Sequence, residues 1–153
     1  MKKKIISLLS ALALTAQIVP CALADNDVKV YVNDTEMVTD APIIIENDRT
    51  LVPVRAISEY LDYNVDWDGD AQKVTISKNE TTLTFTIGNS VMECSTIYQG
   101  NPIPLPKILE TAPKLINDTT YIPLSDVTTA FELNITWDAD NKEVPVSYTH
   151  LRA

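Results

Sequence analysis

The stretch NDRTLVPVRAISEYLDYNVDWDGDAQKV, residues 47–74, decides the fold because the chain writes it twice. NDTTYIPLSDVTTAFELNITWDADNKEV, residues 117–144, lies on it without a gap at an offset of seventy. Asn, Asp, Thr, Pro, Asn, Trp, Asp, Asp and Val recur at matching places, and most other apolar positions stay apolar. Recurrence of so many unlike residue types marks two copies of one supersecondary unit, each needing its neighbour to bury its apolar face.

Within each copy the period changes twice. RTLVP and TTYIP read as strands that stop at Pro53 and Pro123, since proline cannot donate to a ladder. The same prolines suit the start of a helix, where their missing N–H costs nothing. Val54, Ile57 and Leu61, and likewise Leu124, Val127 and Phe131, then take i, i+3, i+7 spacing, which predicts one apolar stripe on a helix of two to three turns. Arg55, Ser58, Glu59 and Asp62 are expected on the opposite face. Thr128 and Thr129 weaken the second helix, so packing must hold it. After the helix the period falls to two in NVDWD, NITWD, KVTI and TLTFTI, the last placing Leu83, Phe85 and Ile87 on one face. Gly69 with Asp70, and Ala139 with Asp140, supply turns. Upstream, VKVYV and EMVT flank the turn NDTE, and PIII leads through END into RTLVP. The expected fold class is α+β, two related units, each a short antiparallel β meander with one short helix packed on it. Residues 90–114, rich in proline, read as a less regular connection that contributes edge strands.

The ends read differently. Lys2, Lys3 and Lys4 precede a mostly apolar run and the small-residue site at Ala22 and Ala24, the pattern of a signal peptide over residues 1–24, too short to span a membrane comfortably. Removing it takes three of the twelve basic residues and leaves nine against 21 acidic, a balance of −12. That sign repels nucleic acid and anionic membrane, so the expectation is a secreted or cell-surface protein with no nucleic-acid partner and no membrane contact after cleavage. The domain is expected over residues 25–144. The final stretch PVSYTHLRA departs from the first copy, which continues through TISKNETTLTFTIG. Residues 145–153 therefore read as a non-native tail, leaving the second copy without its final strand and with an open edge that favours association.

Candidate chemistry is sparse. Asp66, Asp68 and Asp70 alternate around Trp67 and Gly69, but a calcium loop fails in both frames. Counted from Asp66, positions 6 and 12 are Ala71 and Ser77; counted from Asp62, they are Trp67 and Lys73. The second copy replaces Asp66 by Thr136 and keeps Trp137, Asp138 and Asp140, so the shared feature is an aromatic plus a turn, and no metal site is expected. Trp67 and Trp137 read as packing anchors sealing helix on sheet, with sugar stacking as the other use of an indole at this place. Cys94 would be the mature chain's single thiol, so no internal disulfide is expected. A nucleophilic thiol needs a base, and the one histidine is His150; the expectation is a small, partly buried strand residue. Sequons stand at Asn33, Asn79, Asn117 and Asn134, the last entering a strand.

The two copies resemble the copper amine oxidase N-terminal-like domain, whose pattern runs roughly N-G-R-T-L-V-P-L-R-x-I-[AS]-E-x-L-G-A-x-V-x-W-D before a V-T-I strand. The resemblance covers nearly all of the mature chain. It departs at Asp48 and Asp118, where a turn glycine is usual, and at Asp62 with Tyr63, where Gly-Ala is usual. It implies a small module, in tandem halves, on exported proteins of mainly Gram-positive bacteria, which neither binds copper nor carries chemistry. The sequence agrees with that implication, for it has one histidine where copper oxidation needs three and no N-Y-[DE] triplet to mature into a quinone. It also lacks G-x-S-x-G, H-E-x-x-H and a glycine-rich phosphate loop. The expected function is thus a non-catalytic exported cell-envelope module with a binding, adhesion or spacer role, with no cofactor. Cell-wall polysaccharide or another envelope protein is the expected partner, and Trp67 and Trp137 are the ligand-stacking candidates. The alternative is an accessory targeting domain of a larger exported enzyme such as a cell-wall hydrolase, and a free-standing binding protein for a small ligand is a third reading.

Overall fold

The computed structural model describes residues 28–149, which hold fourteen short strands and two short helices, so the α+β chain is mostly β. The expected leader at residues 1–24 and His150 lie outside the described residues. A first hairpin pairs β1 (Lys29–Val32) with β2 (Thr35–Glu36). Then β3 (Ile44–Glu46) and β4 (Arg49–Pro53) run into α1 (Val54–Leu61), followed by β5 (Asn64–Asp68), β6 (Lys73–Lys78) and β7 (Thr81–Thr86). The connection holds β8 (Val91–Tyr98), β9 (Asn101–Pro104) and β10 (Lys107–Ile108). Beyond it come β11 (Lys114–Ile116), β12 (Thr119–Pro123), α2 (Leu124–Ala130), β13 (Leu133–Ile135) and β14 (Glu143–Tyr148), in the order of β3 to β6.

The strands sort into three sheets, and their sorting differs from one meander per copy. Each copy is a hairpin, a helix and a second hairpin. The two first hairpins merge into one sheet of order β11-β12-β4-β3. The two second hairpins part company, β5 and β6 joining the sheet β10-β8-β7-β6-β5 and β13 and β14 joining β13-β14-β1-β2. The seam of the shared sheet is the antiparallel pair β4–β12, with Leu51 opposite Pro123, Val52 opposite Ile122 and Pro53 opposite Tyr121. Val52 and Ile122 stand seventy residues apart in sequence and are both fully buried.

Both helices pack on that seam, α1 against β4 and β12, α2 against the same two strands. The prolines act as expected: β4 ends at Pro53 and β12 at Pro123, each the residue before the first helical turn. Val54, Ile57, Leu61, Leu124 and Val127 are buried, and half-buried Phe131 packs beside them. Ser58 is a correction, because it faces inward and not outward. Its hydroxyl is satisfied by donating to the Val54 carbonyl one turn back at 2.7 Å, which lets a small polar side chain sit in the interior. Val74 and Ile76 of β6 and Leu83 and Phe85 of β7 complete one continuous apolar cluster with Val30, Val32, Val144 and Val146.

The connection supplies the expected edge strands β9 and β10, and it and the C-terminal end differ from expectation in detail. The connection is more regular than its prolines suggest, since β8 is an eight-residue strand bonded to β7 and β9. Pro102 and Pro104 lie in β9, which pairs only with β8, so their missing N–H groups face away from any ladder. Residues 145–148 of the segment read as a non-native tail form part of β14, and the open edge expected there is not observed. β14 carries Val146, which is 1% exposed, bonds β13 antiparallel on one side and takes β1 parallel on the other, so neither edge is open. Tyr148, at its end, donates to the Leu61 carbonyl at the C-terminus of α1 at 2.9 Å, beside the Lys78 ammonium at 2.7 Å from the same oxygen.

The hairpin turns repeat one device. Asn33-Asp34, Asn47-Asp48 and Asn117-Asp118 all have both residues at positive φ, 49° and 63°, 50° and 58°, 48° and 60°. Such two-residue turns match the right-handed twist of the strands they join. Asp tolerates that conformation less well than glycine does. Asp48→Gly and Asp118→Gly are therefore expected to stabilise the chain by about 0.5–1 kcal/mol each in denaturant titrations. Val146→Ala is expected to cost about 2–3 kcal/mol by the same measurement, for lost transfer energy plus the cavity. A stability left unchanged by Val146→Ala contradicts the placement of β14 in the core.

Candidate functional site

The tryptophans are where sequence and structure disagree most usefully. Neither is a packing anchor: Trp67 is 43% exposed and Trp137 52%. The helix stripes already seal the sheet, so no indole is needed there. β5 is the last strand of its sheet and all five of its residues are exposed. The Trp67 ring lies back over its own hairpin turn, so that a Cβ added at Gly69 would stand 3.4 Å from Nε1, and Ala139 occupies that place in the second copy. Trp137 follows β13, next to the single bridge between Asp138 and Glu143.

Each ring borders a groove, of about 640 Å³ at Trp67 and about 390 Å³ at Trp137. The linings correspond across the offset of seventy. From the tryptophan side, Val65, Val74 and Arg55 of the larger groove answer to Ile135, Val144 and Ser125 of the smaller. The facing side comes from the opposite copy: Leu115, Asp118, Thr119 and Thr120 border Trp67, and Ile45, Asp48, Arg49 and Thr50 border Trp137. Each groove thus joins one copy's tryptophan to the other copy's Asn-Asp hairpin. The larger groove also holds Asp40 and Glu59. Arg49 is ion-paired with Glu110.

The aspartates build turns. Asp68 Oδ1 accepts the backbone N–H groups of Asp70 and Ala71, both at 3.0 Å. Asp138 Oδ1 does the same for Asp140 at 3.0 Å and Asn141 at 3.1 Å, and its Oδ2 accepts the Asn141 side-chain amide at 2.9 Å. These are Asx turns, the local alternative these residues offer the backbone. Asp66 is exposed on β5 and lines neither groove. Among the described residues no three His, Cys, Asp or Glu side chains converge to hold an ion. Cys94 is half-buried in β8 as expected, and burial pushes its thiol up from the ordinary range, away from the thiolate a nucleophile needs. Asn134 lies in β13, as its sequence context suggested.

Sequence reasoning identified the two rings but missed the residues facing them. Asp48, Asp118, Thr50 and Thr120 were legible as turn and strand residues only; their recurrence alongside the tryptophans was the available signal. The Asn141 amide, then the N–H groups of Asn141 and Asp140, hold the Asp138 carboxyl below its ordinary value. A depressed folded-state pKa gives stability that is present above the unfolded value and lost as pH falls through the folded one. Asp138→Ala is accordingly expected to lower the thermal midpoint at neutral pH, with the deficit narrowing as the pH falls below the carboxylate range.

No curated protein matches the chain. A family model described as the copper amine oxidase N-terminal domain matches residues 31–146, from β1 into β14, and so spans both tryptophans and both hairpins that face them. That match extends over most of the sequence and carries an N-terminal domain, not a catalytic site, and on it the chain belongs to the copper amine oxidase N-terminal domain family.

Proposed function

We propose that this chain is a duplicated, non-catalytic module of the cell envelope, exported by its N-terminal signal, that works by binding. The observation that carries the reading is the pair of corresponding grooves, each bordered by an indole that the core does not use. An exposed tryptophan beside aliphatic and hydroxyl side chains suits recognition of an amphipathic surface. Duplication supports the same reading, since the two halves meet through residues seventy apart and present the same kind of groove twice. The chemistry of catalysis has little support: burial pushes the Cys94 thiol up, and the carboxylates of Asp68 and Asp138 are spent on turns. The acidic balance of the mature chain favours a partner that is not polyanionic.

The second reading, an accessory domain that targets a larger exported enzyme, is favoured by the family itself, which takes its name from the N-terminal part of an oxidase. Both readings expect attachment to the envelope. The purified chain is expected to co-sediment with purified cell-wall sacculi at moderate salt, and to remain in the supernatant when sacculi are left out. Failure to sediment removes the wall as the partner. A catalytic domain in the same reading frame as this chain decides for the accessory role.

A further inference from the structure

We infer that the two tryptophan grooves are quasi-equivalent subsites for one uncharged glycan, each taking a pyranose ring flat against its indole. The inference rests on the binding reading above and gives it a ligand class. Its basis is what the two grooves share and what they exchange. Both offer an exposed indole, an aliphatic floor, a turn carboxylate (Asp118 or Asp48) and a threonine hydroxyl (Thr120 or Thr50). Each also holds one arginine, but from non-equivalent positions: Arg55 beside Trp67, Arg49 beside Trp137. Thr119 and Ser125 occupy the places these leave.

That set matches a sugar better than other ligands of similar size. One face of a pyranose presents C–H groups to the negative face of an aromatic ring. Its rim carries hydroxyls that both donate and accept, which a carboxylate, a guanidinium and a hydroxyl answer together. A phosphate or carboxylate ligand is repelled, because the larger groove sets Asp40, Glu59 and Asp118 against Arg55, and the whole chain is at −9. A cation is favoured by the larger groove but not by the smaller, where Arg49 offsets Asp48, so attraction of a cation is not what the two sites share. An extended peptide would add to the free edge of β5, but the second groove offers only the three-residue β13, with Trp137 beyond its end. Both β5 and β13 are edge strands, but Trp137 lies beyond the end of β13, so what the two sites share beside the tryptophan is the ring and not a ladder position. Two subsites on one chain suit a polymer with a repeating unit, where the second contact forms at high effective concentration.

The chain has two tryptophans and each belongs to one groove, so intrinsic fluorescence reads the sites directly. The probe is a soluble β-1,4-linked N-acetylglucosamine hexamer. A saturable fluorescence change is expected in the unaltered chain and also in Trp67→Ala and Trp137→Ala, each of which reports the surviving groove. Titration calorimetry with the corresponding trimer should find two sites per chain and one in each variant. Retention on insoluble polymer should fall about tenfold or more in either single variant and vanish in the double variant. Trp67→Phe, which keeps a ring, should recover part of the loss. No saturable change with the hexamer, or a single variant that behaves as the unaltered chain does in both assays, overturns the inference. So does a fluorescence response to wall stem peptides and not to the hexamer. A chain that sediments with sacculi but ignores the hexamer overturns the glycan subsites and leaves the envelope-binding reading standing. One that binds hexamer in both grooves but does not sediment supports the subsites and removes the wall as partner.

Discussion

The antiparallel pairing of β4 with β12, centred on Val52 and Ile122, is the constraint from which the rest of the structure follows. Four strands become one sheet only through that seam, and both helices rest on it. Neither copy can bury its stripe alone, because α1 lies against β12 as well as against its own β4, and α2 lies against β4 as well as its own β12. Val52, Ile122, Leu51 and Leu124 are fully buried there, each burial contributing about 1.5–3 kcal/mol. Tyr121, next in line, spans to the preceding loop by donating its hydroxyl to the Pro42 carbonyl at 2.9 Å.

Once the first hairpins are joined, the second hairpins must leave on either side, and their fates diverge. β6 acquires β7 from the residues that follow it, antiparallel, with Val74 opposite Phe85 and Ile76 opposite Leu83. Among the described residues β14 is followed by no such strand, and it takes β1, the first described strand. A strand arriving from the N-terminus and not through a hairpin is free to run parallel, and it places Val30 beside Val144 and Val32 beside Val146. The same kind of apolar pair is made by a different topology. Lys78 and Tyr148, the last residues of β6 and β14, then converge on the Leu61 carbonyl. There a cation and a hydroxyl satisfy a helix C-terminus that would otherwise leave its carbonyl unpaired. The ammonium also lies 4.7 Å from the centre of the Tyr63 ring, which in turn packs against Phe131 at 4.3 Å, tying the end of one helix to the end of the other.

Local structure was legible in the sequence wherever one physical rule acts within a few residues. Pro53 and Pro123 mark the strand-to-helix boundary because a missing N–H excludes the first and suits the second. Alternation in TLTFTI places Leu83 and Phe85 on one buried face correctly, while Ile87 falls just past β7 and is half-buried. The Asx turns at Asp68 and Asp138 follow from residue type. What was not legible depends on which strand lies beside which. Alternation in NVDWD suggests an inward Val65 and Trp67, yet β5 is an edge strand whose residues are all exposed, so both line a groove instead. Ser58 defeats the polar-outward rule because its hydroxyl finds a carbonyl within its own helix. PVSY does follow TISK at the offset of seventy, with Val146 in the place of Ile76 and Ser147 in that of Ser77, but Pro145 and Tyr148 at its ends hid the match. The grooves were half-visible: the rings stood out, while their facing residues come from the other copy and no reading of one copy at a time assembles them.

That cross-composition also explains how the grooves keep a common chemistry while the copies diverge. Arg49 and Arg55 both come from the first copy, and their counterparts Thr119 and Ser125 from the second, so a comparison of copies suggests a basic half and a neutral one. Across the β4–β12 seam the count is redistributed, because strand positions of one copy face the tryptophan of the other while helix positions stay with their own. From these four positions each groove receives one arginine and one small hydroxyl residue. Selection on a site of this kind acts on pairs of positions drawn from both copies, and an arginine lost from β4 is felt beside Trp137 and not beside Trp67. Sequence similarity between the copies is for this reason a poor measure of similarity between the sites. Arg49 is held by Glu110 from the connecting segment, whereas the larger groove surrounds Arg55 with Glu59, Asp40 and Asp118, so the two sites differ in the charge around a shared set of contacts. On the glycan reading proposed above, the smaller, more neutral groove would be the less selective against acidic ligands, and discrimination between neutral and anionic polymers would fall to the Trp67 side.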